Sequence, residues 1–357
     1  MLENKKFIAI DSFCGAGGLS LGLKKSGFNI KLSFDIDALC IETINVNKKY
    51  HKNRGVVCDV KEMLHGKLLN LTNIIKGELD LLAGGPPCQG FSVQRTVGGD
   101  EDERSLLVDD YGDLIIEVMP KFFLLENVPG IGGKRGREIL KKFKERIQQA
   151  GYFCHENVLN AQDYGVPQRR KRYILVGERM DSQNLFFKWP SHSKTSPPTV
   201  RETIAWLPPA PMTGKPHDDF PLHRADKLSS KNLERIRAIK SGQSRQDLPD
   251  HLLAECHKIS ADKIGHRNVY GRMNWDDVAP TITARFDSFT RGKFGHPEQD
   301  RSVSLLEGAL LQTFPEDYSF VGNKVEVARQ VGNAVPPLLG KQIGVSIIKA
   351  LKEKYDF

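Results

Sequence analysis

No stretch of this sequence approaches the roughly 18 consecutive apolar residues that a membrane-spanning helix needs, so no membrane association is expected. The opening residues, Met1 to Lys6, are polar and contain no apolar signal region, which argues against export. Cysteine is scarce. Six occur, at positions 14, 40, 58, 88, 154 and 256, without paired spacing. That excludes a disulfide framework and fits a reduced, cytoplasmic setting. Neither C-x-x-C nor H-E-x-x-H is present, and His251 with His257 reads as a solvated pair, so no metal is expected.

What is there is ordinary in bulk. The chain has 357 residues, 39% hydrophobic and 27% charged, enough for one large folded domain or two. Lys and Arg number 52 against 44 Asp and Glu, a net charge of +8. This suits a polyanionic partner and suits a generically basic soluble protein equally well.

One stretch stands apart. Asp80 to Ser92 reads D-L-L-A-G-G-P-P-C-Q-G-F-S. The apolar run Leu81–Ala83 predicts a buried strand. Gly84, Gly85, Pro86 and Pro87 forbid its extension and forbid a helix. Cys88 follows this rigid corner, which presents a thiol to a crevice at the carboxyl end of a strand, where open α/β sheets place their chemistry. A free Cys is more commonly a small packing residue, but a packing residue needs no such corner.

Along the chain, strands are expected near 7–10, 30–34, 56–57, 79–83, 121–125, 152–159 and 173–177, with helices near 19–25, 38–49 and 135–150. The alternation predicts a mostly parallel sheet wrapped by helices. From Trp189 to Pro221 the chain turns rich in Pro, Ser and Thr, and polar segments continue to about Pro297. Helical spacing returns at 301–313, Gln330–Pro337 reads as a turn, and 338–355 as a last helix. The expected organisation is a first domain over 1–188, an inserted domain over 189–297, and a segment over 298–357 that returns to the first.

The glycine-rich turn F-C-G-A-G-G-L after the first strand is built to bring backbone close to a ligand. Asp35 ends the second strand and is placed for ribose hydroxyls; Asp59 ends the third and is placed for an adenine amino group. Either acid could instead cap a helix. Together they point to an adenosine-containing cofactor, without separating S-adenosyl-L-methionine from NAD.

Six blocks in order carry a resemblance over nearly the whole chain: D-S-F-C-G-A-G-G-L from Asp11, G-G-P-P-C-Q-G-F-S from Gly84, L-L-E-N-V from Leu124, Q-R-R-K-R from Gln168, R-S-V-S-L-L-E-G-A-L-L-Q-T-F-P from Arg301, and Q-V-G-N-A-V-P from Gln330. The sequence resembles the DNA (cytosine-5)-methyltransferases of bacterial restriction–modification systems. That resemblance implies a Rossmann-like α/β sheet of the S-adenosylmethionine-dependent methyltransferase kind, with a smaller inserted target-recognition domain. It implies S-adenosyl-L-methionine as cofactor and S-adenosyl-L-homocysteine as product. Double-stranded DNA is the implied partner, with a cognate restriction endonuclease acting on the same site. A monomer at the nucleoid, in a prokaryotic cytoplasm, is expected.

The chemistry accounts for the residue types. Carbon 5 of cytosine is a poor nucleophile, and thiolate addition at carbon 6 makes it enamine-like. The resemblance gives the thiolate to Cys88, the group that neutralises N3 to Glu126, and supporting roles to Arg170 and Arg172, which two-residue spacing in an extended segment would point the same way. It assigns cofactor contacts to Phe13, Gly15, Gly17, Gly18, Leu19, Asp35, Ile36, Asp59, Val60, Pro87, Leu107, Asn333 and Ala334. The target base must leave the duplex, and Gln89–Ser105 reads as a lid over it, with Ser92 and Gln94 filling the vacated space. Gln168, Arg267, Arg272, Thr281 and Arg285 are the expected DNA contacts, with Arg291 and Lys293 also available. Three other readings compete. The tRNA cytosine methylase branch usually carries C-F-T, which is missing here. A DNA-binding relative without catalysis would not need Cys88, Glu126 and Arg172 intact. An NAD oxidoreductase would give no role to P-P-C-Q.

Overall fold

A computed structural model of the protein describes residues 6–87, 106–133, 136–225, 227–254 and 269–355. Two compact units emerge: Met1–Asn160 with Lys171–His192 and Val335–Phe357, and Ala161–Arg170 with Ser193–Ala334. The return to the first unit thus begins at Val335. Residues 298–334, expected to return with it, group with the insertion, as do 161–170.

The first unit is built on seven strands: β1 (Ile8–Ser12), β2 (Asn29–Asp35), β3 (Val56–Val57), β4 (Leu81–Gly84), β5 (Phe122–Asn127), β6 (Tyr152–Asn160) and β7 (Lys171–Arg179). They lie in the order β3-β2-β1-β4-β5-β7-β6. The first five run parallel, and β7 is antiparallel to both β5 and β6. This is the Rossmann-like sheet expected from the sequence. All four residues of β4 are buried, as a central parallel strand covered on both faces requires. Around the sheet lie α1 (Gly18–Ser26), α2 (Ala38–Val46), α3 (Lys67–Thr72), α4 (Leu106–Val118) and α5 (Arg137–Gln149).

Three features lock this unit. Tyr111 of α4 sends its hydroxyl to the carbonyls of Leu82 and Leu124, at 3.0 and 2.9 Å, tying the helix to β4 and β5 at once. Gly177 of β7 lies under the Phe123 ring, where a Cβ would stand 1.7 Å from Cε1. The C-terminal helix α10 (Pro337–Tyr355) packs on α1, with backbone meeting backbone at Gly22.

The second unit holds α6 (Val200–Ile204), α7 (Ser230–Arg237), α8 (Leu305–Leu311) and α9 (Lys324–Asn333). Among its described residues β-structure is limited to isolated bridges, such as Gln168 to Ala279. An apolar cluster of Ile236, Ile239, Leu248, Leu252, Val269, Tyr270 and Phe289 forms one core. A buried ion pair, Arg301 on Glu307 at 2.8 and 2.7 Å, forms another fixed point. The helix expected over 301–313 is shorter because Ser304 caps it, in a capping box with Glu307. The turn expected at Gln330–Pro337 begins later, since α9 runs to Asn333. The unforeseen α4 carries Gly112 mid-helix, which lets the Phe143 ring of α5 approach.

Candidate active site

Chemistry-bearing residues gather at the carboxyl ends of β1, β2, β4 and β5 in the first unit. After β1 the chain turns through Phe13, Gly15 and Gly17, at φ of 53°, 51° and 82°. A non-glycine residue at positive φ is uncommon, and Phe13 is held there by packing: its ring meets Tyr111 edge-on at 6.1 Å. Asp35 fixes the turn from β2. Its Oδ2 accepts from the Gly15 N–H and its Oδ1 from the Asp37 N–H, both at 2.9 Å. Burial raises its carboxyl above the usual range. The helix cap of α2 is Asp37, so Asp35 does not serve as one. Asp59 does cap: it accepts from Lys61 N–H at 2.9 Å at the start of a 3₁₀ turn over 60–63.

Next to these acids Ile36 turns an apolar side chain outward, 69% exposed. Val60 is buried, whereas Phe13 and Leu107 are half-buried against the same apolar cluster. Leu19 is committed elsewhere: it is buried where α1 meets Gly340 of α10, so only its backbone belongs to the turn. This set fits an adenosine-bearing ligand. Asp35 keeps acceptor capacity on both oxygens beyond the two N–H bonds, Gly15 leaves open space where a Cβ would sit, and Ile36 offers an exposed apolar surface.

The second half of the site is the corner after β4. A Cβ on Gly84 would lie 2.6 Å from Ser12 Oγ, and one on Gly85 would lie 3.3 Å from Glu126 Oε2. Glycine at 85 therefore lets the corner pass close to that carboxylate. Asn127 Nδ2 donates to the Pro86 carbonyl at 3.1 Å and pins the corner to the end of β5. Ser12 Oγ reaches the Ala83 carbonyl at 2.9 Å from the other side. Glu126 Oε1 is paired with Arg172 Nε of β7 at 2.8 Å. Pro87 is exposed. Cys88, Ser92 and Gln94 lie outside the described residues, as does the whole expected lid.

Sequence reasoning missed Asn127, although it sits inside the L-L-E-N-V block. It also missed Tyr111, whose reach to two strand carbonyls has no local signature. Asp11, first residue of the glycine-turn block, is buried in β1, with Ser20 Oγ bonded to its Oδ2.

In the second unit three expected contacts are spent inside the fold. Gln168 is fully buried; it donates to the Leu311 carbonyl and Gln312 Oε1, and accepts from Ile282 N–H at 2.8 Å. Arg170 is fully buried and donates to the carbonyls of Ile282, Gly332 and Ala334 at 2.8 to 2.9 Å. Its partners differ from that of Arg172, which pairs with Glu126. Arg272 is buried as well, donating to the carbonyls of Ile236, Ile239, His296 and Gln299 and pairing with Asp300. All three side chains are engaged within the unit. Arg285 remains exposed beside Asp287, at 3.3 Å, and Arg291 is exposed at a 3₁₀ turn anchored by buried Phe289. Thr281 sends its hydroxyl to the Arg169 carbonyl at 2.6 Å. Asn333 is exposed at the end of α9, whereas Ala334 is buried and its carbonyl accepts from Arg170 and Gln312. Arg267 lies outside the described residues. Among the described residues no group of acidic, His or Cys side chains could hold a metal, and no helix is long and apolar enough to cross a membrane.

Known proteins share this layout. The sequence is 36% identical over 351 residues to a type II methylase of Herpetosiphon aurantiacus, covering 97% of this chain and 96% of that protein. It is 33% identical over 342 residues to a type II methyltransferase of Haemophilus parahaemolyticus, covering 95% and 86%. Its fold superposes on a crystal structure of a prophage-encoded DNA modification methyltransferase of E. coli with a TM-score of 0.73 and 25% identity, over 98% of this chain and all of that one. The pattern of the C-5 cytosine-specific DNA methylase family matches residues 7–349, nearly the whole length, and the chain belongs to that family.

Proposed function

We propose that this enzyme is the modification methylase of a type II restriction–modification system. In this reading it acts on a cytosine turned out of duplex DNA, with Cys88 as nucleophile. The observation that carries the reading is the Glu126–Arg172 pair beside a corner that Asn127 fastens through the Pro86 carbonyl. Two residues past that carbonyl the chain reaches Cys88.

In this reading S-adenosyl-L-methionine, held at the glycine turn, supplies an electrophilic methyl group. Asp35 receives the ribose hydroxyls, Ile36 packs on adenine, and Asp59 and Val60 frame the adenine edge. Phe13 and the backbone of Gly15, Gly17 and Gly18 line the remainder, with Pro87 and Leu107 closing the wall. Cys88 adds as a thiolate to carbon 6. Glu126 donates a proton to N3 from Oε2, the oxygen on the side of Gly85, while Arg172 holds Oε1. Carbon 5 can then take the methyl group as its bond to the sulfonium sulfur breaks and a neutral thioether is left. Loss of the carbon-5 proton to water expels Cys88 as thiolate, and return of the N3 proton to Glu126 restores the aromatic base. Arg285 and Arg291 are the exposed cations of the second unit assigned to DNA. The relatives' type II designation supports a cognate endonuclease acting at the same sequence.

Tritiated methyl transfer separates the readings. Wild type should label duplex DNA and leave tRNA unlabelled, and should form a stable adduct with duplex containing 5-fluorocytosine. Cys88→Ser should lose both activities while still binding the cofactor. Turnover by the Ser variant, or labelling of tRNA alone, would reject the assignment.

A further inference from the structure

Asp11 is the one acid of the site that the mechanism leaves without a task, and its surroundings are unusual. It lies in β1 between β2 and β4, in register with Ser33 and Ala83. It is 1% exposed. Ser20 of α1 bonds to Oδ2, and the same hydroxyl lies 3.0 Å from Ser33 Oγ. Oδ1 is buried and has no hydrogen-bond partner. Among the described residues no cation pairs with it. The titratable groups that act on it are Asp35 at the end of β2, Cys14 in the glycine turn and Tyr111 on α4, and none of them carries positive charge. The lysines of α1 sit in its last turn, with Lys24 directed to the Lys49 carbonyl. β4 contributes no titratable side chain.

A carboxylate in this position is poorly tolerated. Burial pushes the Asp11 carboxyl up to about 7, and Asp35 adds to the effect. An unpaired buried oxygen costs free energy unless charge or hydrogen arrives to meet it. The residue is two positions from Phe13 and nine from Ser20, so it lies at the root of the turn that the cofactor reading above assigns to the sulfonium-bearing ligand.

Resting on that reading, we propose that Asp11 is a proton-exchanging positioning residue: it gives up its proton when a cationic ligand occupies the glycine turn and keeps it when the occupant is neutral. The enzyme would then distinguish the charged sulfonium cofactor from its neutral thioether product by a buried counter-charge. The proton lost goes to solvent, so binding of the cofactor and binding of the product respond differently to pH. At neutral pH and above, the ionised acid favours the cation and so favours exchange of product for fresh cofactor.

Calorimetric titration of the full-length protein tests this. S-adenosyl-L-methionine and S-adenosyl-L-homocysteine are each titrated at pH 7 in buffers of different ionisation enthalpy. The expected result is release of about 0.4 proton with the first ligand and close to none with the second, for a midpoint lowered by about one unit. Asp11→Asn should bind both ligands and lose the difference. Ser20→Ala, which removes a hydrogen bond favouring the ionised acid, should move the pH of half-maximal release upward and keeps the test open if the Asn variant misfolds. Equal proton exchange for the two ligands in wild type, or an unchanged difference in Asp11→Asn, would overturn the inference alone. Failure of both ligands to bind wild type would overturn the cofactor reading and the inference with it.

Discussion

Glu126 and Arg172 meet across the antiparallel seam of the sheet, carboxylate Oε1 to guanidinium Nε at 2.8 Å, with 12% of each side chain open to solvent. The pair sits where β5 ends and β7 begins, and it joins the parallel part of the sheet to the antiparallel edge. Its two members act as one device: Arg172 fixes one oxygen, which aims the other towards the corner at Gly85. Removal of either should therefore cost nearly as much as removal of both. Glu126→Gln should lower single-turnover methyl transfer by about 10²- to 10⁴-fold. Arg172→Lys, which lacks the planar fork, should fall in the same direction. The double variant should be no worse than the poorer single. Multiplicative losses in the double variant would show that the two side chains act independently.

The parallel part of the sheet was legible because β2, β4 and β5 centre on short apolar runs that stop at Asp35, at Gly84 and at Glu126-Asn127. What misled was local spacing. Arg170 and Arg172 lie two apart, as residues on one face of a strand would, yet β7 starts only at Lys171. Arg170 is drawn instead to the carbonyls of Gly332 and Ala334, more than 160 positions onward. Gln168 and Arg272 look like surface polar groups in sequence. Each is consumed by buried main-chain carbonyls in a unit with little regular β-structure to satisfy its own backbone. No window of sequence encodes such long-range satisfaction.

The seating of α10 on α1 gives a prediction about stability alone. A Cβ on Gly22 would stand 2.4 Å from the Pro337 carbonyl oxygen and 2.8 Å from the Lys341 nitrogen, both backbone atoms that cannot rotate away. Gly22→Ala should force the helices apart and cost about 1–3 kcal/mol or more, despite the better helix propensity of Ala. Gly132→Ala, where nothing lies within 4 Å, provides the control. Thermal melts of the two variants should differ by several degrees. Equal melting temperatures would mean that this helix contact contributes little.

Acid and base should strain the fold through different groups. Glu178 in the first unit is held down to about 2, despite its burial, by His155, the N–H groups of Phe186 and Phe187, and Lys354. Glu307 in the second is held at about 2 by Arg301 and His296. Stability from both is complete above the ordinary glutamate range and is lost as pH falls from about 4.5 towards 2, by a few kcal/mol each. His51 and His296, kept neutral by burial down to about 4, add loss between pH 6.5 and 4, because the unfolded chain takes up protons there first. Asp11 runs the opposite way. Its folded carboxyl holds a proton up to about 7 and the unfolded one only to 3.8, so its penalty is absent at low pH and grows as pH rises through that window. Asp11→Asn should accordingly be more stable than wild type at pH 8, by up to ~4 kcal/mol, with the gap closing near pH 4. Glu307→Gln should be less stable than wild type at pH 7, because it leaves Arg301 buried and unpaired, and that gap should shrink below pH 3. Scanning calorimetry at pH 4, 6 and 8 distinguishes these slopes. An Asp11→Asn variant that loses stability equally at every pH would show that the buried carboxyl is ionised throughout.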